Sequence, residues 1–569
     1  MLARLREEHF DVVVVGGGIT GVGVALDAAS RGLRTALVER DDFASGTSSK
    51  SSKLVHGGLR YLQQGDVRLV YEALHERQRL RRNAAHLVSV LPFMIPVLGR
   101  PDRASSSPDS ATASVVSRKI ARALGSAMWM YDLTGGWRIG KLHRRLKPAA
   151  ALAHMPTMAP SRVLAAYLYF DAAVDDARLV VAVAQTAAAH GAAIANGCGV
   201  TGFTRGGDGH VDGVTVEADG EAFAIRAKVV VNAAGVWSDD VRALDEAAHP
   251  NSIRPAKGIH VTVPWDKVRN DIAVVIPVPK DKRSLFVVPW GPRGDGTFTH
   301  TYVGTTDTDY DGPLDNPQCT ADDVAYVLRA LNASVTTGVT TDDVTGVWAG
   351  LRPLVKGVDA GRTADLSRRH SVTVSEHGVI TVTGGKLTTY RKMAEDTVDV
   401  VMRAVGRRGR CRTRRLRLLA SKSDPASHLD SRYGTFAAAV RQLADSDPAL
   451  GQPLAQGLPY LGAEAVYAAR HEMARSVDDV LSRRTRARLL DRDAAVAAAP
   501  RTAALLATEL KWDATETSRQ VEAFVQLCAI EAAATQPPPA ATQPPPAAIQ
   551  PPPAAIQPPP AAIQPRSPA

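Results

Sequence analysis

Six residues, Phe-Asp-Val-Val-Val-Val at 10–15, run directly into Gly16-Gly17-Gly18-Ile19-Thr20-Gly21 and then into VGVALDAASRG. A short β-branched run, a G-x-G-x-x-G turn and a segment with helical spacing make the opening of a βαβ unit. In such a turn Gly16 permits the tight bend, Gly18 lets the backbone approach a pyrophosphate, and Gly21 lets helix and strand pack closely. The helix start then offers free N–H groups and positive dipole charge to the phosphates. A second strand, Thr35-Ala36-Leu37-Val38, ends at Glu39. An acidic residue about 20 residues beyond the glycines takes ribose hydroxyls and disfavours a 2′-phosphate. Strand, turn, helix, second strand and terminal acid, all in order, predict a dinucleotide site.

The rest of the 569-residue chain is too long for one core, so two or three domains are expected. Apolar content of 45% against 22% charged residues fits a soluble globular protein. The net charge of +10 suits an anionic partner, but no arginine run is interleaved with aromatics, so nucleic acid is not expected. Cys198, Cys319, Cys411 and Cys528 are far apart and form no C-x-x-C pair, which predicts idle thiols in a reducing compartment and no metal site. The first apolar run is the nucleotide-binding strand itself, with no secretory signal, and no stretch of about 18 apolar residues occurs.

Beyond Glu39, Ser45–Ser52 is small and polar, suited to a loop over phosphates or a ring. His56-Gly57-Gly58-Leu59-Arg60-Tyr61 follows, and Leu69, Val70, Ala73, Leu74 and Leu80 then recur at helical spacing, with Arg77–Arg82 read as a solvated end. The strings GGGITG and GTSSKSSKLVHGGLRYL resemble the FAD-dependent, quinone-linked glycerol-3-phosphate dehydrogenases, and the resemblance runs in order from about Phe10 to about Leu527.

Residues 100–126 begin as a Ser/Pro-rich loop. MWMYDLTGGWRIGKLHRRLKP, with Trp129 and Trp137, reads either as a packed helix with a charged exit or as an aromatic and basic membrane-interface segment. An alanine-rich helix to His190, a β-meander over Val200–Ala227 and the buried strand KVVVNAAGVW come next. From Arg254, through LFVVPW and TYVGTTDTDY, alternating polarity suggests an antiparallel sheet with one wet face. KGIH, GTTD and WAGLRPL also match the family, as does ITVTGGKLTTYR. The family's usual Ser-Arg-Asp-His is here Ser367-Arg368-Arg369-His370, with Arg368 in the matching arginine position. The pattern from Thr435 to Ile530 is helical, and glutamine then recurs at 536, 543, 550, 557 and 564 in a QPPPAA repeat that predicts a semi-extended, disordered tail.

The resemblance implies an α/β flavoprotein of the two-dinucleotide-binding-domain type. Its FAD domain is expected from 1–98, 161–250 and 345–405. An inserted antiparallel substrate domain takes 99–160 and 251–344, a C-terminal helical cap 406–533, and the Pro-rich tail 534–569. For FAD it implies Gly16, Gly18, Gly21, Glu39, Thr47, Ser48, Ser52, Leu54, Gly235, Thr306, Gly385, Leu387 and Thr388. The implied substrate is glycerol 3-phosphate, a small dianion with a secondary alcohol. Its oxidation needs phosphate recognition, a base near the hydroxyl and positive charge where oxyanion character develops. Arg60, Arg352, Arg368 and Lys386 are the implied cavity cations, His56 the candidate base, and Tyr61 and His260 further cavity residues. Arg352 is expected beside the reacting oxygen, and Lys386 serves either the substrate or the flavin edge. The implied acceptor is a quinone reached by transient contact with a membrane surface, in a cytoplasmic protein peripheral to the inner face; a homodimer is left open. An oxidase that passes electrons to oxygen, and a non-catalytic flavin-binding adaptor recruited through the tail, are the alternatives.

Overall fold

The computed structural model describes residues 1–59, 66–99, 118–246, 248, 250–279, 281, 283–356 and 369–536, with side chains in the 118–133 helix described from Gly125 onward. Arg60, Tyr61, Arg368 and the repeat tail beyond Gln536 lie outside these residues.

The strand Phe10–Val15 is buried along its whole length, and its valines Val12, Val13 and Val14 are completely enclosed. Each such side chain contributes about 1.5–3 kcal/mol by leaving water. A strand buried on both faces belongs inside a parallel sheet. Phe10–Val15 accordingly pairs in parallel with Glu221–Asn232 on one side, with Val13 opposite Val230, and with Thr35–Val38 on the other. Ile380–Gly384 and Ala193–Ala195 extend the parallel array outward. An antiparallel meander of Cys198–Arg205 and Val211–Ala218 runs into the outer half of Glu221–Asn232, and His370–Val374, antiparallel to Ile380–Gly384, completes an eight-stranded sheet. The helix Ile19–Ser30 that follows the glycine turn fills one face between the helices Asp176–Ala189 and Tyr390–Ala404.

A second, ten-stranded sheet is built mostly from antiparallel pairs. Its longest pairings are Val88–Leu98 with Val163–Val174 and Ile253–Pro264 with Gly346–Val355. These strands come from stretches the sequence boundaries assign to the cofactor domain as well as from the inserted stretches. An apolar run such as VLPFMIPVL carries no mark of which sheet it joins. The expected wet face is absent from the centre of this sheet, where Ala256 to Val263 are all buried. Ile259, Val261 and Val263 pack on Val324, Val327 and Leu331 of the Ala321–Asn332 helix. The opposite side of the strand is covered too, because Thr262 donates to the Leu489 carbonyl at 2.7 Å and His260 meets the Ser45–Ser52 loop.

Arg77 also departs from its expected solvated setting. It is wholly buried and paired with Asp171. The C-terminal helices dock through similar pairs: Arg483 and Arg484 onto Asp42, and Arg486 onto Asp175 and Asp176. Asp42 follows the second strand and Asp175–Asp176 start a helix under the first sheet, so the C-terminal region is fastened directly to the segment that carries the cofactor loop.

Candidate active site

The parallel strands end in a cleft of about 490 Å³, within the range expected of a ligand pocket. Val15, Val38 and Gly384, at or near the carboxyl ends of three parallel strands, line it, where open α/β sheets place their ligands. Gly16 adopts φ +110°, and a Cβ at Gly21 would sit 1.9 Å from the Gly16 carbonyl oxygen. Only glycine fits either position. Gly21 therefore supports the turn from behind, while Gly16 and Gly18 line the cleft.

Gly18 is the N-cap residue of the Ile19–Ser30 helix and has no side chain to satisfy the exposed donors. Ser48 reaches over from the neighbouring loop, its hydroxyl accepting from the Ile19 amide at 2.9 Å. Glu39 turns back onto the turn: its carboxylate accepts from the Gly17 amide at 2.5 Å and from the Asp41 amide at 2.9 Å. Burial raises this carboxyl to about 7, with Asp41 and Asp42 adding to the rise and the two amides opposing it. The residues fit the pyrophosphate and ribose of FAD: a side-chain-free turn, a helix start and an acid at the end of the second strand.

The Ser45–His56 loop is held from several directions. Thr47 donates to the Leu351 carbonyl at 2.6 Å, Ser51 donates to Asp176 at 2.7 Å, and the Trp348 indole donates to the Ser51 carbonyl at 3.2 Å. Ser52 hydrogen-bonds His260 Nε2 at 2.9 Å. His260 stacks on Trp348 with ring centres 4.6 Å apart and planes 10° from parallel. Burial, then the charges of Lys53 and Arg352, hold His260 well below the usual imidazole range, so the ring facing the cleft is neutral. Lys53 itself is buried 4.8 Å from the Trp348 ring centre and paired with Asp176, and burial lowers its ammonium to about 8.

Arg352 enters from the second sheet. It donates to Asp307 and Thr305 at 3.0 Å each and to the Thr306 carbonyl at 3.1 Å. Thr305 lines the cleft, whereas the Thr306 hydroxyl accepts from the Ile259 amide and is buried in the sheet. His56 also lines the cleft; its amide donates to Thr388 at 3.3 Å, which ties the His56 turn to the Lys386–Thr388 turn. Gly385, Lys386, Leu387 and Thr388 all line the same space, as do Leu54 and Gly235. The structure thus brings His56, His260, Arg352 and Lys386 together from four separated segments, beside the glycine turn. Arg369 stays outside, paired with Asp66 on the surface.

Several lining residues escape the sequence reading. Trp237 and Asp240 follow the Asn-Ala-Ala-Gly turn, and Cys198 comes from the meander. A Cβ at Gly46 would meet the Trp237 ring at 2.9 Å, so a small residue in the loop and a large one after the turn were the available signal. Lys50 lines the cleft as well, lowered to about 8 by burial and then by Arg488 and Arg483. Among the described residues no cluster of His, Cys, Asp or Glu could hold a metal ion.

Residues 11–391 match the family model for FAD dependent oxidoreductases, and residues 382–517 that for the C-terminal domain of alpha-glycerophosphate oxidase. Glycerol-3-phosphate dehydrogenase 2 of Mycobacterium tuberculosis is 37% identical, covering 94% of this chain and 91% of that protein. The mitochondrial glycerol-3-phosphate dehydrogenase of Homo sapiens is 35% identical, covering 92% of this chain and 73% of the relative. The crystal structure of the glycerol-3-phosphate dehydrogenase from Bacillus halodurans complexed with FAD superposes with a TM-score of 0.73 at 28% identity, over 93% of this chain and 96% of that one.

Proposed function

The chain belongs to the FAD-dependent glycerol-3-phosphate dehydrogenases, and on that premise we propose that it oxidises sn-glycerol 3-phosphate at C2 to dihydroxyacetone phosphate and delivers the electrons to a membrane quinone. The observation that carries this reading is the meeting of His56, His260, Arg352 and Lys386 in the cleft that the glycine turn and Glu39 also line. FAD is the cofactor, and when bound it supplies the two-electron acceptor for the hydride leaving C2.

His56 takes the proton of the C2 hydroxyl at an imidazole nitrogen. Arg352 holds the oxygen as it gains negative charge, and its bonds to Asp307, Thr305 and the Thr306 carbonyl fix the guanidinium beforehand. His260, kept neutral and anchored by Ser52, positions the substrate without adding charge. Lys386 completes the positive wall toward the phosphate or the flavin edge, with Arg60 and Arg368 assigned to the phosphate by family likeness alone. Arginine suits that task because its planar fork pairs bidentately.

Among the described residues no helix is long and apolar enough to cross a membrane, so a quinone acceptor requires contact from the surface. We place the protein on the cytoplasmic side of the membrane, where its four cysteines, all outside any disulfide, stay reduced. The purified flavoprotein, supplied with glycerol 3-phosphate and a quinone analogue in air, should form dihydroxyacetone phosphate with quinone reduction far exceeding peroxide. Peroxide in step with product would make it an oxidase instead, and no product with either acceptor would overturn the substrate.

A further inference from the structure

Two buried cations reach one carboxylate from backbone that their side chains disfavour. Lys53 holds φ +55° and Arg486 φ +97°, both in the left-handed region that residues other than glycine rarely enter. Both meet Asp176, which is wholly buried: the Lys53 ammonium at 3.3 Å, and the Arg486 guanidinium through a direct hydrogen bond. Arg486 also donates to Asp175 at 2.9 Å and to the Ser482 carbonyl at 3.2 Å. It follows a π-helical turn, Asp479–Arg484, a rare geometry that recurs at functional sites. The Thr485 hydroxyl closes that turn by donating to the Val480 carbonyl at 2.8 Å. Strained backbone persists in a packed interior only where the surroundings hold it, and it marks places where side-chain position matters.

Asp176 passes this anchorage on to the cleft. Its carboxylate accepts from the Ser51 hydroxyl at 2.7 Å and from the Ser51 amide at 3.3 Å. The second sheet grips the same stretch of loop. The Ser51 carbonyl accepts from the Trp348 indole at 3.2 Å, the Ser52 carbonyl accepts from the Tyr302 hydroxyl at 2.9 Å, and Ser52 Oγ meets His260 Nε2 at 2.9 Å. The Lys53 ammonium lies 4.8 Å from the centre of the Trp348 ring, on which His260 stacks. Three residues beyond Lys53 the chain reaches His56. Arg486 stands behind all of this and does not itself line the cleft.

Resting on the reaction proposed above, we propose that Arg486 is a positioning residue for flavin reduction, acting through Asp176 on the Ser51–His56 loop that sets His260 and His56 against the substrate. Arg483 and Arg484 already clasp Asp42, so the two regions are joined without Arg486. What Arg486 adds is a fixed place for Asp176, and through it for Ser51. The C-terminal region thereby belongs to the geometry of the reaction as well as to the assembly of the fold.

Arg486→Gly in the full-length flavoprotein separates the guanidinium from the backbone, because glycine adopts φ +97° without strain. Asp175 keeps Arg432 and Asp176 keeps Lys53, so neither carboxylate loses its last cation. The expected result is FAD bound at the parental ratio, stopped-flow flavin reduction by glycerol 3-phosphate slowed about 30-fold, and apparent substrate affinity changed less than about threefold. Arg486 borders a small cavity of about 20 Å³, so its removal opens room for a free guanidinium ion. Guanidinium chloride at millimolar concentration should restore much of the rate, and sodium chloride at the same concentration should not. Ser51→Ala cuts the link without removing a charge; it should slow reduction in the same way and gain nothing from guanidinium. Amide hydrogen exchange over residues 45–56 should quicken in both variants, and slow again in Arg486→Gly when guanidinium is added. A parental reduction rate in Arg486→Gly, or a slowed rate that guanidinium leaves unchanged, would overturn the proposal. Should Arg486→Gly fail to fold, Ser51→Ala decides, and a parental rate there overturns it. A parent protein whose flavin is not reduced would instead reject the reaction, and the exchange measurement then decides the link by itself.

Discussion

The Tyr131 hydroxyl accepts from the Gly57 amide at 3.1 Å and donates to the Asp171 carboxylate at 2.7 Å. Asp171 is buried, also faces the Gly57 amide at 3.3 Å, and is paired with buried Arg77. The backbone beside His56 is therefore suspended from a buried charged network anchored on two helices and a strand. Tyr131→Phe removes the middle link while Arg77 still neutralises Asp171. The expected result is about a tenfold fall in the flavin-reduction rate, with FAD retained and substrate affinity nearly unchanged, because small misplacements of a reacting group cost rate steeply. Stopped-flow reduction across substrate concentrations separates the two.

Arg352 and Asp307 form a pair whose halves have opposite value to a dianionic substrate. Arg352→Ala removes the cation and leaves the Asp307 carboxylate without its Arg352 pair beside the cleft. The expected loss in kcat/KM is about 10²- to 10⁴-fold. Adding Asp307→Asn removes the negative charge that Arg352 had balanced, so the double variant should recover part of the loss, seen mainly in KM. Steady-state kinetics of the single and double variants checks the order.

The Gly21→Ala variant should purify without flavin. Its Cβ would press on the Gly16 carbonyl at 1.9 Å, and both contact atoms lie in the turn that faces the pyrophosphate. Absorbance near 450 nm per protein is the readout. A companion change at exposed Gly32, where a Cβ meets nothing within 4 Å but φ is +83°, should lose stability without losing flavin.

Lys53 gives a pH signature. Burial lowers its folded-state value to about 8 from the usual 10.5 of a lysine, so between these limits the unfolded chain binds more protons than the native one. The cost is fully present below pH 8 and fades as pH rises toward 10.5, by as much as ~3 kcal/mol. Lys53→Met lacks this dependence. Melting followed by flavin fluorescence should show the parent protein gaining on the variant from pH 7.5 to pH 10; a constant gap would count against a depressed lysine.

Arg484 is wholly buried on Asp42 with two bonds of 2.8 Å. Arg484→Met leaves Asp42 with Arg483 as its one charged partner beside the Asn196 amide and should cost roughly 3–5 kcal/mol, with loosening of the cofactor loop that Asp42 precedes. Faster flavin release on dilution, ahead of global unfolding, is the expected observation.

The cofactor half of the site was legible because its signals are local. Gly16, Gly18 and Glu39 act through backbone shape and strand order, which sequence displays directly. His56, Arg352 and Lys386 were reachable only through family strings, since nothing in their own neighbourhoods says that three distant segments face one cleft. Arg77 looked like part of a solvated charge run, and its partner Asp171 is 94 residues away, beyond any local pattern. The same blindness hid the arginines at 483, 484 and 486, which lie inside the helical pattern of Thr435–Ile530 and fasten the C-terminal region to Asp42, Asp175 and Asp176. Thr305 and Thr306 differ by one position along an extended chain, where successive side chains point to opposite sides, so the motif alone did not fix which faces the cleft.

The central claim is that the cations gathered beside the glycine turn present glycerol 3-phosphate to the flavin. Anaerobic addition of glycerol 3-phosphate to the purified flavoprotein measures this in one step. The account predicts complete bleaching of the flavin band by one equivalent with removal of product, slowed at least 100-fold in His56→Ala and Arg352→Ala with flavin still bound. A flavin that stays oxidised in the parent protein, or that bleaches equally fast in both variants, would contradict it.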